Sequence, residues 1–469
     1  MASIQARVRS SFLMLCAVSA AMMVEACGDS PADEAAANAT PDADVDDVAD
    51  LDASADATAD SDAGVQSDVD VELDAALPPL PPSGPAPDYV PVATFGAHNV
   101  EIVDTRQIIP AVNLPDESPA QTSNNNLDVI RHDGRVYLAW RTAPNHFASP
   151  EARIHVLSSA DEQTWEWEAS FARDNDLREP RFLSWNGNLW LYMAELGTNR
   201  LGFEPKGMLV SARASESGQW SDLVSAGPEG FIPWRTGELG GRPYLIGYTG
   251  GENIYLFNLE PLDIHLLTTT DGVTFTGWDA DLPVVERGGG SETAFAVDGD
   301  DRLWAVVRNE SGDDSGWGSK LCFSPPGDYS NWTCVTDPRK FDSPLVFSYE
   351  GEIYLVGRRH LTPDGHYDLG YRDQTPTEQV IRYQAAYSQS PKRCALWRVD
   401  RTERRVRFML DLPSNGDTCF ASILPLETPG EFAIYDYSSD PTGPLLNWNA
   451  GQEGPTNIYR HVLRFTPND

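Results

Sequence analysis

The feature that most constrains this chain is a short pattern that returns six times. Its copies are "NNLDVIRHDGRVYLAWR" from Asn125, "REPRFLSWNGNLWLYMAE" from Arg178, "PWRTGELGGRPYLIGY" from Pro233, "SETAFAVDGDDRLWAVVR" from Ser291, "FDSPLVFSYEGEIYLVGRR" from Phe341 and "DTCFASILPLETPGEFAIYDY" from Asp417. Each is an apolar run, a turn with glycine, and a returning run with an aromatic residue near its start. Asp133-Gly134 and Asn186-Gly187 suit two-residue primed turns, which need residues that tolerate positive φ. The turn glycines fall at Gly134, Gly187, Gly241, Gly299, Gly351 and Gly430, 52 to 58 residues apart until a last gap of 79 that holds an insertion. Two more strand-like stretches lie between copies, as in "ARIHVLSSADEQTWEW" and "LDIHLLTTTDGVTFTGW". Four strands in about fifty residues, repeated, make a β-propeller blade. The expected fold is all-β, a six-bladed β-propeller over residues 89–469. After the sixth copy only "NIYRHVLRF" remains, one strand short of a blade, and "VPVATFGAHNVEIVD" on the N-terminal side supplies the strand that completes it and closes the ring.

Ahead of the ring the composition changes. No Lys or Arg occurs between Arg9 and Arg106, and residues 28–88 are rich in Asp and Ala, then in Pro. Such a stretch buries too little apolar surface to offset its ordering entropy, and is expected to be a disordered, self-repelling tether. Within residues 1–27, Arg7 and Arg9 precede "SFLMLCAVSAAMMV", the pattern of an export signal. "VEAC" then ends at Cys27 and resembles a bacterial lipobox. That implies lipidation of Cys27 and a place on the bacterial cell envelope, with plain secretion as the alternative. A net charge of −37 argues against nucleic-acid and anionic-membrane partners, leaving the lipid anchor as the expected membrane contact. The chain is expected to be a monomer. Export permits disulfides, and the natural pairs are Cys322 with Cys334 and Cys394 with Cys419. No cysteine pair has zinc-ligand spacing, and neither a metal nor a cofactor is expected.

In a propeller the innermost strand of each blade begins, and its partner ends, at one end of the central channel. Glu292 and Arg308 therefore face each other across the fourth hairpin. The other hairpins place there Asn126, Asp128 and Arg141; Arg178, Glu179, Arg181 and Glu195; Trp234 and Arg235; Asp342, Arg358 and Arg359; Asp417, Tyr435 and Tyr437. Single charges at solvated strand ends pair weakly. Both signs converging on one mouth is a stronger pattern. Arginine forks bind carboxylates or phosphates, so Arg308, Arg141, Arg181, Arg235, Arg358 and Arg359 are candidate substrate-binding residues, with Asp128 and Trp234. Glu292, Glu179, Asp417 and Tyr437 are candidate catalytic residues. Trp140, Trp234 and Tyr248 suit stacking on sugar faces. "VDGDDR" at Val297 reads as a hairpin turn in preference to a calcium loop, and His360 and His366 read as surface residues of the insertion.

"SADEQTW" from Ser159 and "TTDGVTF" from Thr269 share a turn pattern that looks like the Asp-box. With the hairpins, this makes the chain from Asn125 to Phe465 resemble the sialidase superfamily, in particular its bacterial sialidase-like members. In that family a Glu and an Arg spaced like Glu292 and Arg308 respectively activate a tyrosine nucleophile and bind the substrate carboxylate. Other family positions differ. The Arg-Ile-Pro motif would fall near Asn125 and Asn126, the acid/base Asp has only His146 and Glu151 nearby, and the nucleophilic Tyr falls at Phe420. Tyr435 or Tyr437 remain as tyrosines, and Arg393, Arg358 or Arg359 as the third Arg. The resemblance implies a glycoside hydrolase acting on an anionic or terminal sugar, by a tyrosine or a paired-carboxylate mechanism. The alternative is a glycan-binding propeller that has lost the chemistry.

Overall fold

The computed structural model describes residues 96–468 other than 112 and 257–259. The tether and Cys27 lie outside these residues. Strand β1 (His98–Ile109) comes first and waits for the last sheet. The first sheet is β2 (Ser123–His132), β3 (Arg135–Ala143), β4 (Arg153–Ser159) and β5 (Glu166–Phe171); the second is β6 (Asp176–Trp185), β7 (Asn188–Leu196), β8 (Pro205–Ala214) and β9 (Val224–Ala226). The third is β10 (Ile232–Leu239), β11 (Arg242–Thr249), β12 (Leu262–Thr269) and β13 (Phe275–Gly277), with β14 (Val284–Gly288) also paired to β12. The fourth runs β15 (Gly290–Val297), β16 (Leu303–Asn309), β17 (Lys320–Phe323) and β18 (Thr333–Thr336), and the fifth β19 (Leu345–Tyr349), β20 (Glu352–His360), β21 (Lys392–Asp400) and β22 (Arg405–Asp411). In the sixth, β23 (Ser422–Pro425), β24 (Glu431–Ser438) and β25 (Asn457–Pro467) are completed by β1. All pairs are antiparallel, and the fold is a six-bladed β-propeller.

Local chemistry explains the hairpins. Four of the six innermost turns have two central residues at positive φ: Asp133-Gly134, Asn186-Gly187, Gly240-Gly241 and Glu350-Gly351. Their primed geometry matches the twist of the flanking strands. Along β3, β16 and β20 nearly every residue is buried, because these strands are covered by a blade on each side. The two turns resembling Asp-boxes share one hydrogen-bond pattern. Asp161 Oδ1 accepts from the backbone of Gln163 and Thr164 (2.8 and 2.7 Å), as Asp271 Oδ1 does from Val273 and Thr274 (2.9 and 2.7 Å). Disulfides join Cys322 to Cys334 and Cys394 to Cys419, the mark of a compartment more oxidising than the cytosol. No helix among the described residues is long and apolar enough to cross a membrane.

The insertion differs from its sequence reading. It contains helix α1 (Pro376–Gln389), with Thr375 and Glu378 forming a reciprocal capping box. His360, expected at the surface, is only 5% exposed. Its ring lies against Tyr387 and Ser390. A second short helix, α2 (Trp448–Glu453), follows β24.

Ring closure rests on the β1–β25 ladder, from His98 opposite Pro467 to Ile109 opposite Ile458. A clasp adds to it. Glu162, in the β4–β5 turn, accepts from the Tyr435 hydroxyl and Arg460 Nε, both at 2.7 Å, while its carbonyl accepts from Arg106 of β1 (2.8 Å). Burial pulls the Glu162 pKa up, but Tyr435 and Arg460 outweigh it and hold it below the usual range. A carboxylate with a depressed pKa stabilises the fold above its unfolded pKa, and that stability is lost as pH falls through the folded pKa. Glu162→Gln is accordingly expected to cost about 2 kcal/mol at neutral pH, with the difference from wild type closing below pH of about 4. Urea unfolding at both pH values measures it, and an equal loss at both would show that charge is not what the clasp uses.

Candidate mouth at the bulged end of the propeller

The first strands carry irregularities at one end. The ladder breaks between Asn125 and Leu127, Arg178 and Arg181, Pro233 and Arg235, and Gly290 and Thr293. Asn126, Glu179, Ser343 and Cys419, from four blades, sit there at positive φ. A bulge re-aims the side chain beside it. Here the bulges gather residues far apart in sequence: Asn126 Nδ2 lies 3.4 Å from both oxygens of Glu179, and the Ser343 N–H donates to Glu292 Oε2 at 2.7 Å.

Below the bulges the axis is filled. The Arg181 guanidinium lies 4.8 Å from the Trp234 ring and 4.2 Å from the Phe420 ring, joining the second, third and sixth blades. Trp234 Nε1 and the Arg235 Nε and Nη2 all donate to the Pro344 carbonyl of the fifth blade (3.1, 3.2 and 2.8 Å). Asp128 accepts from the Phe182 N–H (2.7 Å) and the Ser422 hydroxyl (2.7 Å).

Above that floor Glu292 and Arg308 meet, as their spacing predicts. Arg308 Nη1 is 2.5 Å from Glu292, Nη2 is 2.6 Å from Glu310 and Nε is 2.9 Å from Asp342. Lys340 Nζ is 2.7 Å from Glu310, and Arg358 Nη1 is 3.2 Å from Asp342, whose other partner is the Tyr387 hydroxyl of α1. All six charged groups are almost fully buried. Burial alone would raise the Asp342 pKa, but Lys340, Arg308 and Arg358 bring it well below the usual range.

Glu179 behaves differently. Burial, then the neighbouring Glu292, push its pKa up to about 7 against the pull of Arg181 and Arg178. Tyr248 stands beside the same two carboxyls, and burial, then Glu292 and Glu179, raise its pKa well above the ordinary value. A second cluster adjoins. His146 Nδ1 lies 2.6 Å from Asp417 Oδ2, while Asp417 Oδ1 accepts from the Tyr437 hydroxyl (2.9 Å) and Trp448 Nε1 (3.2 Å). Arg358 anchors this cluster by donating to the Thr418 carbonyl at 2.7 Å. Behind it Asp176 takes Arg141 Nε (2.9 Å) and Arg178 Nε (2.8 Å).

The structure thus brings Glu292, Arg308, Glu179 and Arg358 together at the bulged end, with Asp417 and Tyr437 fully buried behind the partly exposed His146, and corrects the roles expected for others. Trp234 and Trp140 are fully buried and offer no face for stacking. Arg181, Arg235 and Asp128 belong to the floor, and Arg141 is locked in place by Asp176. Arg359 leaves the mouth, because successive residues of β20 point to opposite faces; it forms a two-toothed pair with Asp411 of the outermost strand (2.7 and 2.5 Å), which Arg393 also approaches. Tyr435 is in the Glu162 clasp. In the Val297 turn, Asp298 accepts from Trp304 Nε1 (2.8 Å) and Arg401 (3.1 Å), donors that oppose a calcium cage. The one group among the described residues spaced to hold a metal is Cys394, Cys419 and Asp436, and its two sulfurs are joined as a disulfide. Sequence reading missed Glu310 and Lys340 in the network, and left His146 without a partner.

No family model matches the chain, and no curated protein matches it. Among solved structures, a protein of unknown function from Dyadobacter fermentans is similar at 13% identity and a TM-score of 0.52, covering 78% of this chain and 100% of that one. The phage phi92 endosialidase is similar at 11% identity and a TM-score of 0.51, covering 80% of this chain and 70% of its own. The class these likenesses define is that of the sialidase-like six-bladed propellers, by fold.

Proposed function

We propose that this protein is a carbohydrate-active propeller of the bacterial cell surface, held there through Cys27, and that it hydrolyses the glycosidic bond of a terminal sugar. The observation that carries the reading is the pair Glu179 and Glu292. A carboxyl that keeps its proton beside a carboxylate held in an ion pair can divide acid and base roles with it. Glu179, near 7, holds a proton to give to a leaving group, while Glu292 stands in its ion pair with Arg308. The His146–Asp417 pair is a second proton-handling group at the same mouth.

A panel of fluorogenic glycosides tests this. Turnover is expected to fall as pH rises past about 7 and to drop at least 100-fold in Glu179→Gln. The second reading, glycan binding without catalysis, is favoured by Phe420, 2% exposed at the position of the family's nucleophile. Glycan binding with no turnover, unchanged in Glu179→Gln, would decide for it.

A further inference from the structure

The arginines of a sugar site decide whether it reads a carboxylate, and here they are already occupied. Arg308 Nη1 and Nη2 pair with Glu292 and Glu310, and Nε lies 2.9 Å from Asp342 Oδ1, although neither of those last two atoms makes a hydrogen bond. Arg358 divides its nitrogens between Asp342 and the Thr418 carbonyl. Arg141 is held by Asp176, Asn125 and the carbonyls of Asn145 and Phe147. Lys340 pairs with Glu310, and Arg178 turns Nε and Nη2 to Asp176. Arg181 does have two nitrogens without partners, Nε and Nη2, but they are sealed in the floor beside the Trp234 and Phe420 rings.

One group left wanting a partner points the other way. Asn126 Oδ1, in a residue 4% exposed beside Glu179, accepts no hydrogen bond. An unsatisfied acceptor costs free energy until a donor arrives. A sugar hydroxyl donates, whereas an ionised carboxylate only accepts. A carboxylate entering here would also meet the carboxylate of Glu292, while Arg308 and Arg358 are already paired with carboxylates of the protein.

We propose that this mouth selects an uncharged sugar ring, bound through its hydroxyls, and discriminates against the carboxylated form of the same ring. This rests on the reading of the mouth as a sugar site. The test is calorimetric binding by the purified chain of pairs that differ at one carboxylate: methyl glucoside against methyl glucuronide, methyl galactoside against methyl galacturonide, and a methyl sialoside against its C1 amide. The uncharged member of at least one pair is expected to bind ten or more times tighter. Asp342→Asn, which releases Arg308 Nε and Arg358 Nη1, is expected to narrow or invert that ratio. Glu310→Gln, which frees Arg308 Nη2, makes the same comparison if Asp342→Asn does not fold. Equal or tighter binding of the acids by the wild-type chain overturns the proposal, as does a ratio unmoved in a folded variant. Binding of no sugar overturns the sugar reading itself.

Discussion

Arg308→Met is expected to destabilise the fold by about 3–5 kcal/mol at neutral pH, the usual cost of removing one partner from a buried ion pair. Methionine fills much of the space of the arginine stem, so the loss is electrostatic. It leaves Glu292, Glu310 and Asp342 with only Lys340 and Arg358 between them. In the wild-type chain Asp342 is held below the usual range, so its contribution is present above its unfolded pKa and is lost as pH falls through the folded one. Without Arg308, Asp342 loses one of the cations that keep it ionised and protonates more readily in the folded state. The gap between variant and wild type should therefore narrow on acidification from pH of about 7 to 5. Urea unfolding at the two pH values reads this. A loss equal at both would assign Arg308 a packing role alone.

Deleting the chain up to Ile109, and with it β1, is expected to abolish cooperative folding. The deletion bares the whole edge of β25 and removes Val100 and Ile102 from the sixth blade's apolar cluster. It also removes Arg106 from the Glu162 clasp and His98 from its bonds to Tyr354 (2.8 Å) and Glu350 (3.0 Å) of the fifth blade. An open ring exposes a strand edge and an apolar flank together, the conditions for aggregation. Size-exclusion chromatography and near-ultraviolet circular dichroism should show soluble, folded monomer lost. A truncated chain that melts as the intact one does would refute the view that the first strand closes the ring.

The ring was legible because its signals are local. Asp-Gly and Asn-Gly turns and strand patterns act within a few dozen residues, and counting them shows one strand missing at the end and one spare at the start. The Cys322–Cys334 and Glu292–Arg308 pairs follow from counting along hairpins, and Cys394 with Cys419 is the pair then left over. What surrounds that pair was not legible, since Glu310 and Lys340 lie in connections whose path no periodicity sets. Tyr387 reaches Asp342 from a helix in the insertion, although "TPTE" at Thr375 was a readable start signal. Trp234 illustrates the opposite error. Its position at the channel was correct, but a tryptophan near an axis fills the axis when nothing else does, and burial there outweighs display.

The packed column of Arg181, Trp234 and Phe420 has a consequence for traffic. A polymer cannot be threaded through this ring from one side to the other. Whatever enters at the bulged end must leave by the same doorway.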